Sequence, residues 1–455
     1  MRSGPVRGIE RLTPAYEATG ARLTSEKNDI RINKNSARCV ARDGAIKMEK
    51  RKYIVILGDG MADLPCDALG GKTPLEVADK PRIDALCARG ELGLVKTVPD
   101  GMKPGSDVAN LAVMGYPPAK FYSGRSPLEA LSMGIDLADD DIAVRCNLVT
   151  LSDDEPYENK IMKDYSAGEI SNEEAKILVE YVQENLGGEG EDFFNGVSYR
   201  HCMVKHRAEL GTELTPPHDI SDKCVNGHLP KGLYGERMLS LMKKSYDLLK
   251  DHPVNKARIA AGKNPANSIW LWGEGTRPAL QPFDKSFGLK GAVISAVDLV
   301  KGIGVGAGMN VIDVPGATGT YETNFDGKAE AAVKALTEDG CDYVYVHMEA
   351  PDECGHQGDL EHKILSIELI DNKVVSYICD ALNGKGIPFS MLIMPDHPTP
   401  LKLKTHTSDP VPFVLYRSDG EKAGSPSKMC EKTAAATGVY YPECHDLISK
   451  FLGGK

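Results

Sequence analysis

The sequence predicts an α/β protein: a mostly parallel sheet flanked by helices, with a smaller α/β domain inserted into it. Three observations lead there. Short apolar runs recur, each followed at once by acidic or turn residues; helical patterns lie between those runs; and a long central stretch breaks the alternation.

The first run is Tyr53-Ile-Val-Ile-Leu57, closed by Gly58-Asp59-Gly60. The second, Tyr343-Val-Tyr-Val346, leads to Pro351-Asp352, and the third, Phe389-Ser-Met-Leu-Ile-Met394, to Pro395-Asp396-His397. Their length and composition suit strands buried on both faces. Helical spacing over 73–89, 327–338 and 359–382 supplies the crossovers that parallel strands need. The stretch 121–283 carries Gly- and Pro-bearing segments and its own strand patterns at Ile142–Thr150 and Ser268–Trp272, and it is expected to be the inserted domain. Residues 48–120 and 284–455 then form the outer domain. Residues 1–47, with ten Lys or Arg against five Asp or Glu and little apolar periodicity, are expected to be a disordered or non-native extension. Their acids fit poorly with a transit peptide.

At 455 residues the chain exceeds what one core usually supports. Its 65 acidic and 54 basic residues give a net charge of −11, which argues against nucleic acid or an anionic membrane as partner. No apolar run reaches the ~18 residues of a membrane span. Eleven scattered cysteines without a C-x-x-C pair argue against a disulfide framework and suit a reducing cytoplasm, where they read as small buried hydrophobes.

In sheets of this kind ligands bind at the carboxyl ends of the strands, where the acids fall. Asp352 and His356 stand in D-E-C-G-H, Asp396 and His397 are adjacent, and His406 follows in Thr405-His-Thr407. Carboxylate with imidazole suits divalent transition metals, and two such clusters could flank a phosphoryl group. The turn-rich loop Val98–Gly105 precedes a helical pattern from Ser106 to Met114, with Ser106 expected as its N-cap. A helix start also offers free N–H groups and positive dipole to phosphate, and a hydroxyl there beside a metal can act as a nucleophile. The glycines of 302–308 are not spaced as G-x-G-x-x-G, so a loop or a close backbone approach is expected. His347 either faces the site from its strand or is a hydrogen-bonded core residue, and the second reading is preferred.

The segments ILGDGMAD (56–63), PGSDVANLAVMGY (104–116), YSGRSPLEALSMGIDL (122–137), VHMEAPDECGH (346–356), MPDH (394–397) and THTSDPVPF (405–413) occur in one order. Together they resemble the archaeal-type cofactor-independent phosphoglycerate mutases of the alkaline phosphatase superfamily. The resemblance implies an alkaline-phosphatase-like fold and an isomerase that interconverts 3-phosphoglycerate and 2-phosphoglycerate through phosphoserine at Ser106, independently of 2,3-bisphosphoglycerate. It implies two divalent ions, Mn²⁺ foremost with Zn²⁺, Co²⁺ or Mg²⁺ as alternatives. One would be held by Asp59, Ser106, Asp396 and His397, the other by Asp352, His356 and His406. Arg125, Arg145, Arg200 and Lys301 are placed like substrate contacts, and guanidinium suits both carboxylate and phosphate. Ser126 stands where the family more often has Gly. The alternative is a related metal-dependent phosphotransferase or phosphatase acting on another small phosphate ester, and the chain has no Walker-type motif for a kinase. The sequence gives no indication of oligomeric state.

Overall fold

The computed structural model describes residues 39–42, 45–48, 50–188, 190–420 and 426–453. All of them lie in the compact unit Ser36–Lys455. The expected extension falls almost wholly outside the described residues; of it only an antiparallel hairpin, Cys39–Arg42 with Ala45–Met48, is described, and the sequence reading did not foresee it.

Eight strands form the main sheet, in the order Asn310–Ile312, Gly291–Ile294, Tyr343–Met348, Lys52–Gly58, Phe389–Met394, Val411–Arg417, Glu91–Val95 and Tyr440–Tyr441. Every strand runs the same way except Val411–Arg417, which is antiparallel to both neighbours. The three apolar runs are the three central strands. Their side chains alternate between two cores, as a period of two requires. Ile54 and Ile56 join Val344, Val346, Met391 and Ile393 on one face, under the helices Phe325–Thr337, Ser376–Gly384 and Pro81–Arg89. Val55 and Leu57 join Tyr345, Leu392 and Met394 on the other, under Ser106–Val113, Asp298–Gly306 and Cys444–Phe451. Residues 54–57 are all 0% exposed, and each such side chain contributes roughly 1.5–3 kcal/mol.

The helical pattern over 73–89 is two helices, Pro74–Val77 and Pro81–Arg89. Pro81 supplies the second start, since it lacks the N–H that a continuing helix needs. The 359–382 pattern is Leu360–Leu369 and Ser376–Gly384 joined by a π-helical segment, Ile370–Val375.

The central stretch builds a separate antiparallel sheet, Ser268–Thr276, Ile142–Leu151, Arg200–Lys205 and Glu191–Val197, with its own core around Leu148, Met203, Met242 and Trp270. It meets the main body through two helices, Ser126–Ser132 and Asp298–Gly306. Of the two expectations for the glycines of 302–308, the loop is corrected, since Gly302, Gly304 and Gly306 lie inside the second helix, and the close backbone approach holds at Gly302. A Cβ there would stand 1.8 Å from the Leu128 carbonyl oxygen. The ten cysteines described are all free, and two of them depart from the buried expectation, Cys66 half-buried and Cys224 exposed. Among the described residues no helix is long and apolar enough to cross a membrane.

Candidate active site

Three chain segments leave the carboxyl edge of the central strands and converge there. Asp59 follows Lys52–Gly58 directly. Helix Ala350–Gln357, entered just after Tyr343–Met348, carries Asp352 and His356 one turn apart. Asp396 and His397 follow Phe389–Met394, and His406 lies on the connection that returns as Val411–Arg417. Gly60 makes the convergence possible. Its φ is +61°, and a Cβ there would meet Asp352 Cα and Thr399 Oγ1 at 2.6 Å.

Two donor groups result, Asp59 with Asp396 and His397, and Asp352 with His356 and His406, the donor atoms of each within 4.8 Å of one another. The rings of His397 and His406 lie tilted at 31°, their centres 4.0 Å apart, where the groups meet. Hydrogen bonds set the imidazole tautomers. Thr399 Oγ1 donates to Asp352 Oδ1 and so accepts from His397 Nδ1 at 3.3 Å, which turns the Nε2 lone pair toward Ser106 Oγ, 3.2 Å away. His356 Nδ1 donates to the Lys404 carbonyl at 3.1 Å, leaving Nε2 facing His406 Nε2 at 2.9 Å and Asp352 Oδ2 at 3.2 Å.

Ser106 is the first residue of helix Ser106–Val113 rather than its cap; Gly105 takes that place. Asn110, one turn on, donates from Nδ2 to the Ser106 carbonyl at 2.8 Å and to Asp396 Oδ2 at 3.0 Å, and accepts from the Tyr345 hydroxyl at 2.7 Å. The helix start, with its positive dipole end, is thereby tied to the donor group.

The electrostatics demand cations. Burial, then Asp396, Glu349 and Asp352, push the Asp59 carboxyl well above its ordinary range, and its buried Oδ1 has no hydrogen-bond partner. Burial, then Asp352, Glu353 and Asp396, push Glu349 up to about 8. Burial would also raise Asp352, but hydrogen bonds from His356 and His406 outweigh it and hold that carboxyl well below the ordinary range. His356, bonded to Asp352, is pushed up to about 9. Clustered carboxylates, an orphaned oxygen and imidazole nitrogens aimed at one another form a donor set that fits divalent ions.

Sequence reasoning passes over Glu349, Asn110 and Thr399 here and places His347 in the core. His347 is buried and hydrogen-bonded, but its Nε2 partner is Asp59 Oδ2 at 2.9 Å, while Nδ1 meets Ser295 Oγ at 3.2 Å. Glu349 joins Asp59 and His347 in a third donor group. Asn110 and Thr399 were not singled out at all, because amide and hydroxyl side chains on a helix and a loop carry no spacing signal.

Beside this edge lies a cavity of about 250 Å³ lined by Arg125, Arg145, Arg200, Glu129, Glu349 and Glu353 among others. Glu129 joins two of the arginines, with Arg125 Nε at 2.8 Å and Arg145 Nε at 2.9 Å. Arg145 also stacks 4.0 Å over the Trp272 ring, and burial pulls it down to about 10 against the opposing effect of Glu129. Ser126 donates to the Gly273 carbonyl. Lys301 departs from the expected set: it is not among the lining residues and pairs instead with Asp313 at 2.6 Å.

A family model described as 2,3-bisphosphoglycerate-independent phosphoglycerate mutase matches residues 87–255. The mutase of that name from Methanosarcina barkeri is 50% identical over 405 residues, covering 89% of this chain and all of its own. Among solved structures, a Pyrococcus horikoshii protein aligns with TM-score 0.74 at 30% identity, over 89% of this chain and 98% of its own. The cofactor-independent phosphoglycerate mutase of Thermoplasma acidophilum aligns with TM-score 0.61 at 25% identity, over 89% and 100%. With half its residues identical to a relative over nearly its whole length, this chain belongs to the 2,3-bisphosphoglycerate-independent phosphoglycerate mutase family.

Proposed function

We propose that the chain interconverts 3-phosphoglycerate and 2-phosphoglycerate, with Ser106 as the transient phosphoryl carrier and without 2,3-bisphosphoglycerate. The observation that carries this reading is the position of Ser106 Oγ, at a helix start and 3.2 Å from His397 Nε2, beside two carboxylate and imidazole groups. Asp59, Asp396 and His397 with Ser106 would hold one divalent ion, and Asp352, His356 and His406 the other, manganese being the first expectation. When bound, such ions lower the proton affinity of a hydroxyl and neutralise phosphoryl oxygens.

The Ser106 oxygen bonds to phosphorus as the bond from phosphorus to the glycerate C3 oxygen breaks, and that oxygen takes up a proton. The glycerate C2 oxygen then attacks the phosphoserine and regenerates the serine. Between the two steps glycerate must stay bound and turn, which assigns its carboxylate to Arg125, Arg145 and Arg200 of the inserted domain, residues 121–283. Closure of that domain over the sheet edge excludes the water that would hydrolyse phosphoserine.

The test is Ser106→Ala. The Ser106 hydroxyl caps no helix N–H, so the variant should stay folded while turnover falls by at least about three orders of magnitude. Wild type quenched during turnover should carry phosphate on the peptide containing Ser106. Substantial mutase activity in folded Ser106→Ala, or phosphate found on another residue, overturns the assignment.

A further inference from the structure

We propose that the buried ammonium of Lys363 is a positioning residue for the metal centre, locking together the three chain segments that carry its carboxylates and imidazoles; the inference rests on the two-metal reading above. Lys363 lies in helix Leu360–Leu369 and is 0% exposed. Its Nζ donates to Asp63 Oδ2 at 2.7 Å and to the Thr399 carbonyl at 2.8 Å, and lies 3.5 Å from the Ala62 carbonyl. Three acceptors thus face three protons.

Each acceptor belongs to the wall of the site. Ala62 and Asp63 end the turn that begins at Asp59. Thr399 is two residues past His397, and its backbone N–H donates to the Ala62 carbonyl at 3.2 Å. The same Thr399 presents its hydroxyl to Asp352 Oδ1 and His397 Nδ1, one candidate ligand from each donor group. With its carbonyl held by Lys363, that hydroxyl has a fixed place. Lys363 itself is anchored to the third segment, because its helix follows Ala350–Gln357 after a single turn in which the Asp359 N–H donates to the Cys354 carbonyl at 2.8 Å. Asp63 Oδ2 also accepts from the Leu401 N–H at 3.2 Å, so the pair grips both ends of the Thr399 segment.

Stability alone does not account for the arrangement, since a buried ion pair is often no more stabilising than apolar side chains of the same volume. What the ammonium supplies is geometry: one small group with three donors, at the junction of three backbones, behind two ligands.

The sign of the expected effect separates this from plain electrostatics. Removing a positive charge near a dication site would by itself tighten metal binding, whereas loss of ligand placement weakens it. Metal-stripped wild type, Lys363→Met and the charge-balanced Lys363→Met/Asp63→Asn would be titrated with Mn²⁺ by calorimetry, with circular dichroism and thermal melts of the metal-free forms. Wild type should take up two ions, and both variants should bind about 10–100-fold more weakly while folded. Wild-type affinity in either folded variant, with only a lower Tm, overturns the role of Lys363 and leaves the metal reading intact. Failure of both variants to fold overturns it as well, by making Lys363 a requirement of the fold. A wild type that binds no Mn²⁺ overturns the metal reading beneath it.

Discussion

Gly302→Ala tests whether the contact between helices Asp298–Gly306 and Ser126–Ser132 sets the geometry of the cavity. A Cβ there would lie 1.8 Å from the Leu128 carbonyl oxygen, 2.5 Å from its carbon and 3.1 Å from its Cα, all backbone atoms that no rotamer change can move. Reaching ordinary contact requires the two helices to part by roughly 1.5 Å. Alanine gains about 1 kcal/mol of helix propensity over glycine. Overpacking costs about 1–3 kcal/mol, and more where backbone must shift, so the clash wins. The helix that moves begins at Ser126, directly after Arg125, and carries Glu129, which holds Arg125 and Arg145. A displacement of about 1 Å in such a positioning group is worth roughly a hundredfold in rate. Gly302→Ala should therefore lower Tm by several degrees and kcat/KM for 3-phosphoglycerate by about a hundredfold. Gly306→Ala is the control: it lies in the same helix, but its Cβ would meet only the side-chain tips of Leu131 and Leu280 at 3.2 Å, which can give way. It should leave both measurements near wild type. Gly302→Ala with wild-type Tm and kcat/KM would refute the reasoning.

Arg145→Ala removes a stacked, carboxylate-bound guanidinium from the cavity and should lower kcat/KM by about 10–100-fold, equivalent to ~1.5–3 kcal/mol, with metal content by elemental analysis unchanged; wild-type kinetics would remove Arg145 from the substrate site. Beside the central antiparallel sheet His206 bridges Asp141 and Asp192 at 3.0 Å each, and although burial opposes it, these carboxylates raise its proton affinity above the ordinary value. A raised folded pKa contributes stability that is fully present below the unfolded value of about 6.5 and is lost as pH rises through the folded one. The Tm gap between wild type and His206→Gln should accordingly be wider at pH 6 than at pH 9, and a gap independent of pH would count against the bridge.

The parts of the site that lie at strand ends were readable from sequence. Apolar runs of four to six residues closed by Asp59, by Asp352 or by Asp396 and His397 announce buried strands and their carboxyl edge together, because the same chain reversal that ends a strand there exposes polar groups to a ligand. His406 was found through its neighbours THTSDPVPF rather than through any period. What escaped was whatever depends on packing between distant segments. Glycines 302, 304 and 306 resemble a loop in one dimension and lie in a helix, where Gly302 leaves room for the backbone of Leu128. Ser106 looks like a cap until Gly105 is seen to take the capping place. Lys301 has the composition of a substrate contact but lies across from Asp313, and Thr399, Asn110 and Lys363 act through partners that sequence spacing does not reveal.

The place of Lys52–Gly58 in the sheet has a consequence during synthesis. Of the main sheet's strands this one is the first to leave the ribosome, yet it is flanked in the sheet by Tyr343–Met348 and Phe389–Met394. At ~5–20 residues per second it waits roughly 15–60 s for its first neighbour. Throughout that interval four consecutive apolar side chains and two open edges are without their native cover, whereas the antiparallel sheet between Ile142 and Thr276 is contiguous and can close by itself. A nascent chain stalled before Tyr343 would thus hold a closed antiparallel sheet from the central stretch beside a strand open on both edges, a bare template for β-aggregation.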